Sequence, residues 1–218
     1  MLRIGHRGAP KHMLENTIAS FEAALALGAD GIELDVHLCK SGELVVFHDD
    51  GMDRLTPDNY LVRDLTLAQM RAYPMPGGER IPTLPEVLDA LGRDIYYFIE
   101  LKPADAVLPA VELMRRYAAN GWKHLILISF QHEALRHAPS LTVGATFDDL
   151  KPGDSENAKA LGARLILPAH GALTKLQVDE AHLMGLQVVP WTVNDPGDIA
   201  RMKAMGVDGI ISDYPDRL

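Results

Sequence analysis

The sequence predicts an α/β fold, a closed parallel (β/α)8 barrel with some distortion, from three observations. Short β-branched runs alternate with helix-period segments along the chain, and the strands needed for such a ring number eight. The length of 218 residues suits one barrel better than two domains. A single domain over residues 1–218 is therefore expected.

The elements follow in order. An apolar run at 2–6 is the first strand, and the amphipathic segment 15–27 ahead of Gly28 is the first helix. In the second strand, 31–36, apolar and acidic residues alternate. The run 43–48 is a ninth strand that an eightfold ring does not need. Only Lys40-Ser41-Gly42 separates it from the second, so it forms an extra hairpin strand and not a parallel crossover. A turn centred on Ser41-Gly42 would set Asp35 opposite His48.

Residues 49–80 are rich in polar residues, glycine and proline, with one helical stretch near 67–73, and read as a small insertion capping the barrel mouth. Strands follow at 95–101, 125–129, 142–146, 164–167, 187–191 and 209–212. Helices fall at 83–91, 106–119, 131–137, 155–161, 174–184 and 196–205, each leading toward a glycine, aspartate or proline. The chain ends soon after the last strand, so the eighth outer helix is expected to be short or absent. Chain termini or a second copy in a homo-oligomer would then cover that surface.

Hydrophobic residues make up 47% and charged residues 23%, as in ordinary soluble domains. The net charge of -9 argues against nucleic acid and against stable membrane association, leaving small molecules as the expected partners. Cys39 is the single cysteine, which removes intrachain disulfides and thiolate zinc sites, so any metal is held by oxygen or imidazole. The amino terminus lacks an uninterrupted apolar segment, and a cytoplasmic location is expected.

The chemistry concentrates in a few places. In Gly31-Ile32-Glu33-Leu34-Asp35-Val36 the two-residue period turns both carboxylates to one face. Such a pair costs stability unless something cationic meets it. Glu100-Leu101-Lys102 repeats the device at the carboxyl end of an apolar strand, where active sites of such barrels lie. Glu33, Asp35 and Glu100 supply hard oxygen donors suited to magnesium or calcium. Arg7 and Lys102 supply charge for an anion, and His6 and His48 can transfer protons near neutral pH. Metal-assisted phosphoryl chemistry is the reaction class these groups fit together.

The set His6-Arg7-Gly8 with Glu15-Asn16-Thr17, then Glu33-Leu34-Asp35, His48-Asp49, Glu100-Leu101-Lys102, Trp191-Thr192-Val193-Asn194 and the closing Gly206-Val207-Asp208-Gly209-Ile210-Ile211-Ser212-Asp213 closely resembles the glycerophosphodiester phosphodiesterases. The resemblance runs over nearly the whole chain, in order and spacing. It implies a distorted TIM barrel that hydrolyses glycerophosphodiesters to sn-glycerol 3-phosphate and an alcohol. By motif, His6 and His48 form the catalytic pair, and Glu33, Asp35 and Glu100 fall on the ligands of one divalent metal ion, magnesium or calcium with manganese an option. Arg7 and Lys102 fall near the phosphate. In the mechanism proposed for such enzymes the substrate's glycerol 2-hydroxyl attacks phosphorus, and water opens the resulting cyclic phosphate. After His48-Asp49-Asp50 many relatives carry paired threonines and a glycine-rich turn, whereas this chain has Asp53-Arg54-Leu55-Thr56-Pro57-Asp58-Asn59, a difference that bears on substrate preference.

Bland readings stand beside these. The carboxylates could instead form buried ion pairs with Arg7 and Lys102. Glu15 is either a residue stabilising a helix start or one that orients the substrate site. Trp191 and Phe130 could be core packing, yet at strand ends their flat rings suit a glycerol or choline group. Asp213 is expected to fix the final loop, and the other seven histidines are read as structural. Two alternatives to the diesterase remain, a related phospholipase acting on intact lipid and a catalytically silent binding barrel.

Overall fold

Runs of apolar β-branched residues that cannot bury both faces alone assemble here into one ring. The computed structural model describes residues 1–54, 60–73 and 75–218. Its strands are β1 (Leu2–Gly5), β2 (Gly31–Leu38), β3 (Leu44–Val46), β4 (Tyr96–Leu101), β5 (Leu125–Ser129), β6 (Thr142–Phe147), β7 (Leu165–Pro168), β8 (Gln187–Val188) and β9 (Gly209–Ser212). Their order is β8-β7-β6-β5-β4-β2-β1-β9, all parallel, with β3 attached antiparallel to β2. The ring closes where Asp208 N donates to Val188 O at 2.9 Å and Ile211 N to Pro190 O at 3.0 Å. Pro190 has no N–H to give, so β8 is shorter than the expected 187–191. Trp191 returns to the ladder as a single bridge to Ala169.

The helices are α1 (Ile18–Ala26), α2 (Leu67–Ala72), α3 (Leu84–Leu91), α4 (Val107–Ala119), α5 (Asp154–Ala160), α6 (Lys175–Leu183) and α7 (Pro196–Met205). Thr66, Thr83 and Thr174 start α2, α3 and α6 with capping boxes, each side-chain oxygen taking an N–H that the first turn leaves unpaired. Two expectations are corrected. Segment 131–137 is a 3-10 helix, His132–His137, because Pro139 has no N–H to extend an α-helical ladder and the span between β5 and β6 is short. The first helix begins at Ile18 and not at residue 15, because Asn16 has a left-handed backbone, φ 57°, outside any helix.

The hairpin register also differs from expectation. Val36 faces Val46, His37 faces Val45 and Leu38 faces Leu44. Cys39 N donates to Glu43 O, so the loop has three residues, centred on Ser41, with Gly42 at φ 93°. Asp35 therefore lies against Phe47, whose N–H it accepts at 3.0 Å, and not against His48. His48 stands beyond the end of β3, where strand alternation no longer sets its direction.

Ile32, Leu34 and Val36 turn outward onto Phe21 and Leu88 of the helical layer. Ile4, Phe98, Ile126 and Leu165 plug the barrel interior. The insertion carries a small core of its own, in which Met52, Val62 and Met70 pack on Val45 and Phe47. Residues 55–59, with the departure from the family pattern noted above, lie outside the described residues. After β9 comes one 3-10 turn, Pro215–Arg217. Among the described residues no helix is long and apolar enough to cross a membrane.

Candidate active site

Parallel register decides which side chains meet. Asp35 of β2 is paired with Glu100 of β4, so their side chains leave the sheet on the same side, and Glu33 lies two residues before Asp35 on that face. Glu33, Asp35 and Glu100 are buried, at 3%, 1% and 8% exposure, and each offers an oxygen within 4.8 Å of the others. Lys102 Nζ stands 3.0 Å from Asp35 Oδ1 and 2.5 Å from Glu100 Oε1. Arg7 Nε lies 3.3 Å from Asp35 Oδ2, and the Arg7 backbone N–H donates to Glu33 Oε2 at 3.0 Å.

The ion-pair reading is thus realised in part, yet three carboxylates face two cations and one acid is left without a base to pair with. Burial, and then these neighbours, set the titration directions. Burial pushes Glu33 well above the usual carboxylate range, and Asp35 and Glu100 beside it add to the shift. Burial also raises Glu100, with Lys102 opposing and Asp35 adding. For Asp35 burial acts in the same direction, but Lys102 and Arg7 outweigh it and hold the carboxyl low. Lys102 is desolvated, yet Asp35 and Glu100 keep it charged and raise it. Hard oxygen donors, close spacing and one acid more than the two bases can pair make this trio a fitting cradle for a divalent cation.

Arg7 reaches the cluster from a strained turn after β1, with a left-handed backbone at φ 52°. Gly8 follows at φ 89°, and a Cβ there would lie 2.4 Å from Ser20 Oγ of α1. Asn16 joins the same layer, its Nδ2 donating to Asp35 Oδ2 at 2.8 Å. Glu15 does not border the cavity. Its Oε1 receives Arg7 Nη1 at 3.1 Å and Arg54 Nη2 at 2.6 Å, so any part it has in the site is to hold Arg7, and the helix-start reading lapses because α1 begins later.

The two imidazoles are held alike. His6 Nδ1 meets Asp213 Oδ1 at 2.6 Å, and Asn194 Nδ2 donates to the other Asp213 oxygen at 2.9 Å. His48 Nδ1 meets Asp49 Oδ1 at 2.7 Å, and Arg54 Nε donates to Asp49 Oδ2 at 2.5 Å. Each carboxylate occupies Nδ1, so Nε2 is the ring nitrogen it does not take. Burial keeps His48 below its usual pKa, with Asp35 pulling the other way. The buried His37 lies beneath, its Nε2 3.1 Å from His48 O.

A cavity of about 210 Å³ joins these groups, bordered by His6, Arg7, Glu33, His48, Glu100 and Lys102. The rest of its wall is apolar, formed by Ile128, Leu167 and Ile211 with Phe130 and Trp191. The two rings meet edge to face with centroids 5.5 Å apart, and Trp191 Nε1 donates to Leu167 O at 2.8 Å. Sequence reasoning had no role for Asn16, Asp49 or Arg54, although His48-Asp49 stood within the quoted motifs. It gave Asp213 to the final loop alone. Thr146, in the apolar wall, carried no signal at all.

The Glycerophosphoryl diester phosphodiesterase family model matches residues 6–217. A glycerophosphodiester phosphodiesterase of Caldanaerobacter subterraneus is 37% identical over all of this chain and 96% of its own length. One of Bacillus subtilis is 32% identical, over 99% of this chain and 84% of its own length. Among solved structures, an Oleispira antarctica phosphodiesterase in complex with the product sn-glycerol-3-phosphate has TM-score 0.88 and 26% identity, covering 98% of this chain and 93% of that one. A putative enzyme of this type from Silicibacter pomeroyi has TM-score 0.86 and 29% identity, covering 98% and 90%. Barrel, buried acidic trio and matched sequence agree, and the chain belongs to the glycerophosphoryl diester phosphodiesterase family, as a phosphoric diester hydrolase.

Proposed function

We propose that the protein hydrolyses glycerophosphodiesters to sn-glycerol 3-phosphate and an alcohol, with one divalent metal ion and with His6 and His48 as the acid–base pair. The observation that carries this reading is the convergence of both imidazoles, the acidic trio, Arg7 and Lys102 on the cavity mouth or its floor. Glu33, Asp35 and Glu100 hold the ion, be it magnesium, calcium or manganese. That ion supplies positive charge to offset the phosphoryl oxygens as charge builds on them.

The chain's own residues do the rest. Arg7 and Lys102 orient the phosphate, buried enough that their charge is weakly screened. One imidazole takes the proton of the glycerol 2-hydroxyl as its oxygen bonds to phosphorus. The other gives a proton to the departing alcohol oxygen as its bond to phosphorus breaks. The roles then reverse, as water adds to the cyclic phosphate and the bond from phosphorus to the 2-oxygen opens. Asp213 and Asp49 fix the ring orientations throughout. Phe130 and Trp191 line the wall for the organic part of the substrate.

The cavity volume suits a glycerophosphoryl unit better than a lipid with its acyl chains. The test is to incubate purified protein with glycerophosphocholine and glycerophosphoethanolamine, with magnesium, calcium or manganese added in turn. Release of glycerol 3-phosphate is expected with at least one ion. No release with any of them overturns the reading.

A further inference from the structure

Strand alternation directs Thr146 into the barrel. Val143, Ala145 and Phe147 of β6 belong to the outer core, whereas a Cβ on Gly144 would strike Leu167 Cδ1 at 2.6 Å and Ile128 Cγ2 at 3.3 Å, both interior side chains. Two residues on, at the carboxyl end of β6, Thr146 shares that inward face and borders the active-site cavity. It is 3% exposed, and its Oγ1 has no hydrogen-bond partner among the described residues. Its neighbours on the cavity wall are Ile128 and Leu167, neither of which can offer a polar atom from its side chain.

A hydroxyl left unpaired in such a layer is costly, and valine would fill the same volume without that cost. The cavity is where a partner can arrive. In the ring order, β5, β4 and β2 separate β6 from β1, so Thr146 stands across the mouth from Arg7 and His6. The phosphate, in the middle of the diester, belongs with the cations on that opposite side. Of the two groups it carries, glycerol is the uncharged one with free hydroxyls, so it is the group that an unpaired hydroxyl in an apolar wall would meet, lying along Phe130 and Trp191.

We propose that Thr146 is a specificity-determining residue whose hydroxyl bonds the terminal hydroxyl of the glycerol moiety, selecting a glycerol diester over one with a methyl group at that carbon. This rests on the hydrolytic reading above and deepens it. The carbon-bound 2-hydroxyl, which attacks phosphorus, is present in both diesters, so chemistry remains available to each and the comparison isolates one hydrogen bond.

The experiment pairs two substrates with three proteins. Glycerophosphocholine and its analogue built on propane-1,2-diol, which lacks only the terminal hydroxyl, are assayed with wild type, Thr146→Val and Thr146→Ser. Wild type should favour the glycerol diester in kcat/KM. Thr146→Val should lower kcat/KM for it about three- to tenfold, as loss of one neutral hydrogen bond does, and leave the analogue unchanged. Thr146→Ser should restore the preference. The melting temperature of Thr146→Val should hold or rise, whereas a hydroxyl serving the fold would make it fall. Equal losses on both substrates, or none on either, overturn the assignment of Thr146 while the hydrolase stands. Absence of turnover by wild type on both removes the hydrolytic reading and this inference with it.

Discussion

The two halves of the barrel mouth are built from the same strand geometry and opposite chemistry. Strands β1, β2 and β4 and the residues just after them carry Arg7, Glu33, Asp35, Glu100 and Lys102, while β5 to β8 and the segment after β8 carry Ile128, Thr146, Leu167 and Trp191. The charged half stabilises itself poorly, because its carboxylates are buried beside one another. The apolar half packs like any barrel interior. The free energy of the charged half therefore depends on what binds there, whereas the apolar half, Thr146 aside, packs without help from a ligand.

The largest expected effect is on the charged side. Asp35→Ala removes the shared partner of Arg7 and Lys102 and one donor of the cation cradle. Lys102 keeps Glu100 and Arg7 keeps Glu15, so the loss of one shared partner should cost about 1–3 kcal/mol, and diesterase activity should fall below detection. Ile128→Val on the facing wall should cost about 0.5–1.5 kcal/mol and keep kcat. Denaturant unfolding and initial rates measure both. Similar penalties from the two substitutions would erase the contrast.

Next come the imidazoles, which lie at the rim and are only partly buried. His6→Ala and His48→Ala should each lower kcat by about 10²- to 10⁴-fold, the share that a positioned acid or base supplies. The melting temperature should move far less than for Asp35→Ala. A loss of activity matched by loss of the folded baseline in circular dichroism would mean that these rings serve packing and not proton transfer.

Much of the charged half was legible in the sequence because charge inside a strand breaks the apolar pattern. Glu33 and Asp35 two apart, and Glu100 with Lys102, announce an inward polar face wherever a parallel strand should be buried on both sides. The apolar half was less legible, since Ile128 and Leu167 on a strand look alike whether they fill a core or line a cavity. Thr146 fits a strand as well as valine does, and its lack of a partner exists only in three dimensions. The hairpin register was misjudged by one residue because sequence fixes a turn's centre only through its loop length, and Gly42 is compatible with either a two- or a three-residue loop. The late start of α1 has a tertiary origin, as Asn16 bonds Asp35 from a left-handed backbone outside the helix.

The metal-free protein should also show the contrast through pH. A carboxyl whose folded pKa is raised contributes stability that is fully present below its unfolded value, about 4.3 for glutamate, and lost as pH rises through the folded value. Glu33 and Glu100 are both raised, so protein stripped with a chelator should lose stability as pH climbs from that ordinary glutamate value through their raised ones. Asp35 is held low and acts oppositely, at more acidic pH. A divalent ion competes with those protons, so the rise in melting temperature on adding magnesium, calcium or manganese should be larger at pH 8 than at pH 5. Equal shifts at both pH values would place the ion away from the trio.

The smallest effect belongs to the wall. Phe130 is 37% exposed and meets Trp191 edge to face, so Phe130→Leu keeps most apolar area and forfeits the ring contact. Such contacts are worth about 0.5–1.5 kcal/mol beyond area, and exposure puts this one at the low end. KM for glycerophosphocholine should rise about two- to threefold with kcat unchanged, because a ring that lines the cavity without transferring a proton would contact bound substrate equally in ground and transition states. A fall in kcat instead would mean that Phe130 helps aim the 2-hydroxyl at phosphorus, and the division between the charged half and the apolar half would then have to be redrawn through β5.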